Sequence, residues 1–231
     1  KNDRVVTFLD TPGHEAFAAL REHGAHLTDV AVVVVAADDG IKPQTLEAIR
    51  FARKAGVQII VAITKIDKEG ANLDRVRQEL ADQDMIPEEW GGSTVVVPVS
   101  SKTKEGVDKL LEMILLVTDV EELKADVAVP GEGLVIESHM ETGRGPIAVA
   151  LIEQGTVKQG DFIVAGGTYA KVKVLETTAG KQVKSAGPST PIIVVGFKSL
   201  PEFGDSFTVV KNEKEARHIS AETARQKGDN S

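Results

Sequence analysis

The sequence contains no cysteine, and that absence excludes two classes of protein. Without thiols, neither a disulfide-stapled secreted fold nor a thiolate metal site can form. The absence agrees with a reducing cytoplasm, where we expect this protein to be located. Long apolar runs are also missing: the longest covers residues 30–37, far short of the roughly 20 residues in a membrane-spanning helix. We therefore expect no membrane partner.

An excess of positive charge is missing too, because 27 basic residues face 35 acidic ones and the net charge is −8. This balance argues against a generally basic nucleic-acid or membrane binder. The acidic excess is concentrated in residues 1–120, with 14 basic and 20 acidic residues, against 13 and 15 in residues 121–231. A local basic face in the second half is therefore compatible with the composition.

The first half of the chain alternates between short apolar runs and helical patterns. Runs rich in β-branched residues predict strands over 4–10, 30–37, 57–63 and 93–100. Helical patterns follow them over about 14–25, 43–55, 72–83 and 106–118. Strands that are apolar along their whole length are typical of parallel sheets covered on both faces. We therefore predict an α/β domain with a doubly wound parallel sheet over residues 1–122.

The rhythm changes after about residue 129. Six short strand candidates follow, separated by turns rich in Gly and Pro and with no long helix between them. This pattern predicts a small antiparallel β-barrel over residues 123–211. The final stretch, 212–231, has a helical pattern and is predicted to be a linker helix.

Polar residues follow three of the predicted parallel strands, at the edge where ligands bind in such sheets. The first strand leads into Asp10, Thr11, Pro12, Gly13 and His14. A carboxylate at a strand end can hold Mg²⁺ through its water shell. A glycine at a helix start lets the backbone approach a phosphate.

The other two strand ends carry Thr64-Lys65-Ile66-Asp67 and Ser100-Ser101-Lys102. The Asp67 carboxylate can accept two N–H bonds from a guanine edge, a donor pair that adenine lacks. The aliphatic stem of Lys65 can lie along the ring, and backbone N–H groups of the serine segment can meet a base carbonyl.

Each pattern alone also fits ordinary structure. Asp10 to Gly13 fits a turn with an Asx bond, and the segment at Asp67 fits a capped helix start on a charged loop. The serine segment by itself is uninformative. Together, three such segments at successive strand ends favour a nucleotide site.

The three segments, DTPGHE, TKID and SSK, resemble the third, fourth and fifth guanine-nucleotide motifs of translational GTPases. Within that group, DTPGHEAFAALREHGAHLTDVAVVVVAADDGIKPQT closely resembles the bacterial-type translation initiation factor 2 family. GRGPIAVALIEQGTVKQGDFIVAGGTYAKVKVL and AGPSTPIIVVGFKSLPEFGD are similar to that family's β-barrel domain II. The resemblance covers nearly the whole chain.

The resemblance implies a P-loop-GTPase-like fold that binds GTP or GDP with Mg²⁺ and hydrolyses GTP on the ribosome, during initiation-complex formation and subunit joining. It implies that Asp10 orders the Mg²⁺ shell, Gly13 contacts the γ-phosphate and His14 positions the attacking water. The residues implied to bind the nucleotide are Asp10, Thr11, Pro12, Gly13, His14, Thr64, Lys65, Ile66, Asp67, Ser100, Ser101 and Lys102.

One departure from the family pattern concerns phosphate binding. No G-x-x-x-x-G-K-[ST] segment occurs, so the phosphate cradle is missing from these residues. The switch I threonine is expected upstream of Lys1. Because the P-loop strand normally lies mid-sheet, we expect a gap with unpaired edges between the first two predicted strands.

A second departure is Thr64, where the family usually has asparagine. A hydroxyl cannot donate and accept from separate atoms. We expect looser nucleotide binding in the parent protein by about 1 kcal/mol, the net value of one hydrogen bond. A Thr64→Asn parent that binds nucleotide no tighter would contradict this.

The barrel has four lysines on neighbouring strands or their connecting loop: Lys171, Lys173, Lys181 and Lys184. They fit either a solvated strand face or a contact with ribosomal RNA phosphates. The resemblance implies that the barrel faces the small ribosomal subunit. Recognition of initiator tRNA is implied only for parts of the parent beyond these residues.

Two other functions fit the same residues. One is a nucleotide-independent scaffold that binds a ribosome or protein through a degenerate G-like domain and a barrel. The other is another translational GTPase, of the elongation or selenocysteine type. The segments HEAFAALREHGAHLTD and AGPSTPI favour the initiation factor over that last alternative.

We predict that the 231-residue chain by itself binds GTP negligibly, because its residues contain no phosphate cradle. Calorimetric titration with GTP and GDP checks this. A micromolar dissociation constant for either nucleotide would overturn the prediction.

Overall fold

The computed structural model describes residues 5–11 and 28–229, and these form two compact units. The first unit lies within residues 9–123. The second consists of residues 124–229 together with residues 5–8.

The first unit contains a parallel sheet of three strands in the order β1-β2-β3. These are β1 (Val30–Ala36), β2 (Gln58–Thr64) and β3 (Val95–Pro98). They confirm three of the predicted parallel strands. Residues 60–63 of β2 are at most 1% exposed, because this strand is paired on both edges. The central strand therefore lies in the core of this unit.

Within the described residues of this unit, each strand is followed by a helix: α1 (Pro43–Ala55), α2 (Leu73–Ala81) and α3 (Val107–Val120). A short 3₁₀ helix, Glu88–Trp90, precedes β3. Pro43 occupies the first turn of α1, and Gly56 ends that helix with a φ of +70°. The Asn72 side chain caps α2 by accepting from the Arg75 N–H. The helices predicted over 43–55, 72–83 and 106–118 are thus confirmed, while 14–25 lies mostly outside the described residues.

The predicted strand over 4–10 is wrong for residues 5–10, which form no strand. Residues 5–8 belong to the second unit, where the Thr7 hydroxyl donates to the Ser189 carbonyl at 2.5 Å. A strand needs a neighbour to satisfy its backbone groups, and among the described residues β1 pairs only with β2. Val34 of β1 is 58% exposed. The expected gap between the first two predicted strands stays a prediction, because the first of them does not form.

The second unit is built on a closed antiparallel barrel of six strands in the order β10-β5-β4-β11-β7-β8, which confirms the predicted barrel. The strands are β4 (Glu132–Glu141), β5 (Gly145–Gln154), β7 (Phe162–Ala165), β8 (Thr168–Thr177), β10 (Pro191–Phe197) and β11 (Ser206–Val210). Two short strands, β6 (Val157–Lys158) and β9 (Ser185–Ala186), pair separately. Alternating side chains fill the interior, where Phe207 is 2% exposed.

The last helix, α4 (Glu213–Asp229), packs on the barrel and lies within the stretch predicted as helical, 212–231. Its attachment includes a polar cluster. The Tyr169 hydroxyl donates to Glu213 at 3.2 Å, and Arg217 Nε donates to the Tyr169 oxygen at 3.1 Å. Among the described residues, no helix has both the length and the apolar character needed to cross a membrane.

Candidate functional site

The carboxyl ends of the three parallel strands meet at one edge of the sheet. The Ala37 N–H donates to the Thr64 carbonyl, and the Val99 N–H donates to the Ile63 carbonyl, both at 2.8 Å. The residues that follow β1, β2 and β3 are therefore neighbours although they are far apart in sequence.

Ser100 and Asp67 form the centre of this edge. Ser100 is fully buried, and its hydroxyl donates to Asp67 Oδ1 at 2.5 Å. The Thr103 N–H donates in turn to Ser100 Oγ at 3.1 Å. The hydrogen bond from Ser100 lowers the pKa of Asp67, with help from the positive charges of Lys102 and Lys68, although burial acts in the opposite direction. The carboxylate is therefore ionised at neutral pH and acts only as an acceptor.

The segment from Thr64 to Ile66 connects β2 to Asp67. The Ile66 side chain packs against the core of the unit, so it anchors the loop. Lys65 is exposed, has a φ of +58° and lies 3.7 Å from Asp38 Oδ1. The Thr64 carbonyl accepts the Ala37 N–H at the sheet edge. No hydrogen bond of the Thr64 hydroxyl is found among the described residues.

The loop after β3 is tight. The Ser100 N–H donates to the Glu105 carbonyl at 2.9 Å. Gly106 closes the loop with a φ of +74°, where a Cβ atom would lie 2.0 Å from the Pro98 carbonyl oxygen. Only glycine fits there. Ser101 and Lys102 are exposed at the tip of this loop.

The remaining predicted site residues precede β1 in the sequence. Asp10 and Thr11 are exposed, and no hydrogen bond or ion pair joins them to other described residues. Pro12, Gly13 and His14 lie outside the described residues. Within the described part of the chain, no group of three or more His, Asp or Glu side chains could hold a metal ion.

Sequence reasoning missed Asp38 and Asp39, which follow β1. Asp39 Oδ2 lies 3.8 Å from Lys65 Nζ, and Asp38 Oδ2 accepts from Lys68 Nζ at 2.9 Å. The available signal was the same one used for the other strands: acidic residues directly after an apolar run.

The four barrel lysines are all exposed. Lys171 and Lys173 alternate along β8 with the buried Val172, and the Lys171 ammonium lies 5.7 Å from the Phe162 ring centre. The Gln159 side chain donates to the Lys173 carbonyl on β8, and the Gln159 backbone N–H donates to the carbonyl of Lys184, the residue before β9. These contacts also place the exposed Lys158 beside them, a residue that sequence reasoning did not select.

The first unit matches the family model of the elongation factor Tu GTP-binding domain over residues 1–119. The chain belongs to this family. Residues 130–210, which contain the barrel, match the model of elongation factor G domain 2. These two matches cover both folded parts of this GTP-binding-domain protein.

Curated relatives are similar over almost the whole chain. Translation initiation factor IF-2 of Finegoldia magna is 54% identical over 219 residues, which is 95% of this chain and 29% of that protein. Translation initiation factor IF-2 of Moorella thermoacetica is 53% identical over 225 residues, or 97% of this chain and 25% of that protein. The chain thus spans less than a third of the length of these relatives.

Solved structures share the fold of this family member. GDP-bound aIF5B from Aeropyrum pernix superposes with a TM-score of 0.73 at 22% identity, covering 88% of this chain and 44% of that one. The elongation factor SelB from Methanococcus maripaludis, solved with a GTP analogue, gives a TM-score of 0.70 at 22% identity, covering 89% and 46%.

We predict that Ser100→Ala raises the pKa of Asp67 toward its ordinary value, because the hydroxyl that stabilises the carboxylate is lost. Since folding lowers this pKa, the bond stabilises the fold at neutral pH, and that contribution is lost as the pH falls through the lowered value. The stability difference between wild type and variant should therefore shrink at acidic pH. Carboxyl NMR titration of Asp67 measures the pKa, and Ser101→Ala is the control. An unchanged pKa in Ser100→Ala would contradict the prediction.

Proposed function

We propose that this chain is the later part of the GTPase domain, with the adjoining barrel, of a longer translation initiation GTPase. That protein would bind and hydrolyse GTP on the ribosome in the cytoplasm, during initiation-complex formation and subunit joining. The relatives named translation initiation factor IF-2 support this assignment at over half identity. The single observation that carries the nucleotide site is the ionised Asp67, held by buried Ser100 where the strand ends meet.

Asp67 selects the base in this proposal. Its carboxylate accepts from N1–H and the 2-amino group of guanine, a donor pair that adenine does not present. The Ser100 hydroxyl donates a hydrogen bond to one oxygen of the Asp67 carboxylate and so fixes the orientation of that carboxylate. The Lys65 stem covers one face of the ring, and the backbone N–H groups of Ser101 and Lys102 face the base carbonyl.

Asp10, Gly13 and His14 supply the hydrolytic part, by resemblance to the family. Mg²⁺ in such sites keeps several waters and takes one or two carboxylates with phosphate oxygens, so the exposed Asp10 fits it without a dedicated cluster. The ion neutralises charge on the phosphates when bound. Asp10 contacts its water shell, Gly13 offers its N–H to the γ-phosphate, and His14 orients the attacking water.

The second candidate is a nucleotide-independent scaffold that binds a ribosome or protein through the G-like domain and the barrel. The likeness to SelB shows a shared fold and gives no preference for the elongation type. The two candidates differ in whether the longer protein binds guanine nucleotide.

We expect His14→Ala in the longer protein to lower ribosome-stimulated GTP hydrolysis by roughly a hundredfold or more, because water positioning and proton transfer contribute on that scale. GTP affinity should change less than about twofold, since the base contacts remain. Single-turnover hydrolysis and equilibrium binding measure the two quantities. His139→Ala is the matched control, because His139 lies on the barrel.

Three results would decide against the proposal. Ribosome binding without guanine-nucleotide binding by the longer protein supports the scaffold. If the longer protein binds guanine nucleotide but has no effect on subunit joining, as measured by light scattering, another translational GTPase is supported. Unchanged hydrolysis in His14→Ala overturns the role of that residue.

We further propose that the barrel contacts rRNA phosphates of the small ribosomal subunit through a basic face, defined as Lys158, Lys171, Lys173, Lys181 and Lys184. No ion pair involves these lysines within the described residues. In contrast, Arg144 lies 2.9 Å from Glu176, and Lys227 lies 2.7 Å from Asp205. The uncompensated charges support a contact with an anionic partner, because they can release counterions from phosphates. Initiator tRNA would bind parts of the longer protein outside these residues.

We expect the double change Lys171→Ala and Lys173→Ala to weaken binding to isolated small subunits. The slope of log affinity against log salt concentration should become less steep by about two, because each lost phosphate contact reduces it by about one. The control is Lys211→Ala with Lys214→Ala, which makes the same charge change elsewhere in the same unit. Equal effects of both doubles would show that net charge, rather than the basic face, determines binding.

A further inference from the structure

The loop that follows β1 places two carboxylates beside the candidate guanine site. Asp38 Oδ1 lies 3.7 Å and Asp39 Oδ2 lies 3.8 Å from the ammonium of Lys65. The second oxygen of Asp38 accepts a hydrogen bond from Lys68 at 2.9 Å. A single carboxylate therefore contacts both lysines that flank the base-selecting Asp67 in sequence.

The position of Asp38 is set by its own loop. The Gly40 N–H donates to the Ala36 carbonyl at 2.8 Å, which closes a tight turn. Gly40 has a φ of +78°, and a Cβ atom there would lie 2.5 Å from the Glu79 carboxylate. The Arg75 guanidinium donates to the Asp38 carbonyl oxygen at 3.1 Å. These contacts hold the Asp38 backbone independently of Lys65.

The Asp38 carboxylate has a free acceptor that faces Lys65. Oδ1 is buried and accepts no hydrogen bond within the described part of the chain. The 3.7 Å separation from Lys65 is an ion-pair distance, too long for a hydrogen bond. The bond from Lys68 and the charge of Lys65 lower the pKa of Asp38, so the group stays ionised. A buried charged acceptor is costly without a donor, which favours a closer approach by Lys65.

Lys65 itself has an uncommon backbone conformation. Its φ of +58° lies in the left-handed region, which non-glycine residues adopt rarely and often at binding sites. Its side chain is 44% exposed, so packing alone does not fix it. The two carboxylates attract the Lys65 ammonium and so restrict the side chain to the position in which its stem would cover the base.

We propose that Asp38, assisted by Asp39, is a positioning residue for guanine-nucleotide binding. It holds the Lys65 ammonium so that the lysine stem lies along the base, and it does not touch the nucleotide. Preorganising Lys65 in this way lowers the ordering cost of binding. This inference rests on the proposed function, because it requires the longer protein to bind guanine nucleotide.

A double-mutant cycle in the longer protein tests the inference through GDP dissociation constants. Asp38→Asn keeps the side-chain size and removes the charge, and should raise the constant about three- to fivefold, the effect of losing a partly exposed ion pair. In a Lys65→Met background the same change should have less than about a twofold effect, because the group through which Asp38 acts is gone. In a Lys68→Met background the full effect should persist.

Two controls separate positioning from loss of structure. Asp74→Asn makes the same charge change on α2, where Asp74 pairs with Arg77 at 3.1 Å, and should leave GDP affinity unchanged. Asp38→Glu restores the carboxylate and should recover most of the affinity if Asp38→Asn proves unstable. Thermal melting of each variant shows whether folding is preserved.

The outcomes distinguish the two levels of the proposal. If the longer protein binds GDP but Asp38→Asn has the same effect with and without Lys65, Asp38 acts by another route and the inference is overturned, while the proposed function stands. If the longer protein binds no guanine nucleotide, the proposed function fails and the inference fails with it.

Discussion

The backbone pairing of β2 with both neighbours is the constraint on which the candidate site depends. This strand is buried along residues 60–63, and the carbonyls of Ile63 and Thr64 accept hydrogen bonds from Val99 and Ala37. Parallel pairing forces the three carboxyl ends to one edge, so the loops that leave the strands have to share that edge. Residues from three separate parts of the sequence meet there for this reason.

Charge compensation differs between the two units. At the edge of the parallel sheet, lysines and carboxylates contact each other: Lys65 and Lys68 pair with Asp38. On the barrel strand β8, Lys171 and Lys173 point outward with no ion pair among the described residues. In our proposals, the first arrangement preorganises a small site, whereas the second leaves positive charge available to an extended anionic partner.

Most elements could be predicted from local pattern, because β-branched apolar runs and helix caps act over a few residues. Asn72, for example, begins one helix and Gly56 ends another, as their chemistry requires. The predicted strand over 4–10 was wrong for residues 5–10 because strand formation depends on a neighbour that local pattern cannot supply. The contacts of Asp38 could not be predicted because its partners, Lys65 and Lys68, are about thirty residues away in sequence.

The sequence by itself determined the alternation of strands and helices, the six barrel strands and the residue types that suit a guanine nucleotide. Only the tertiary structure decided that Ser100 is buried and donates to Asp67, that Asp38 contacts Lys65 and Lys68, and that Lys158 lies beside the other barrel lysines. The physical reason is that periodicity and capping are local, whereas hydrogen bonds, ion pairs and pKa shifts depend on groups that only chain folding brings within a few ångströms.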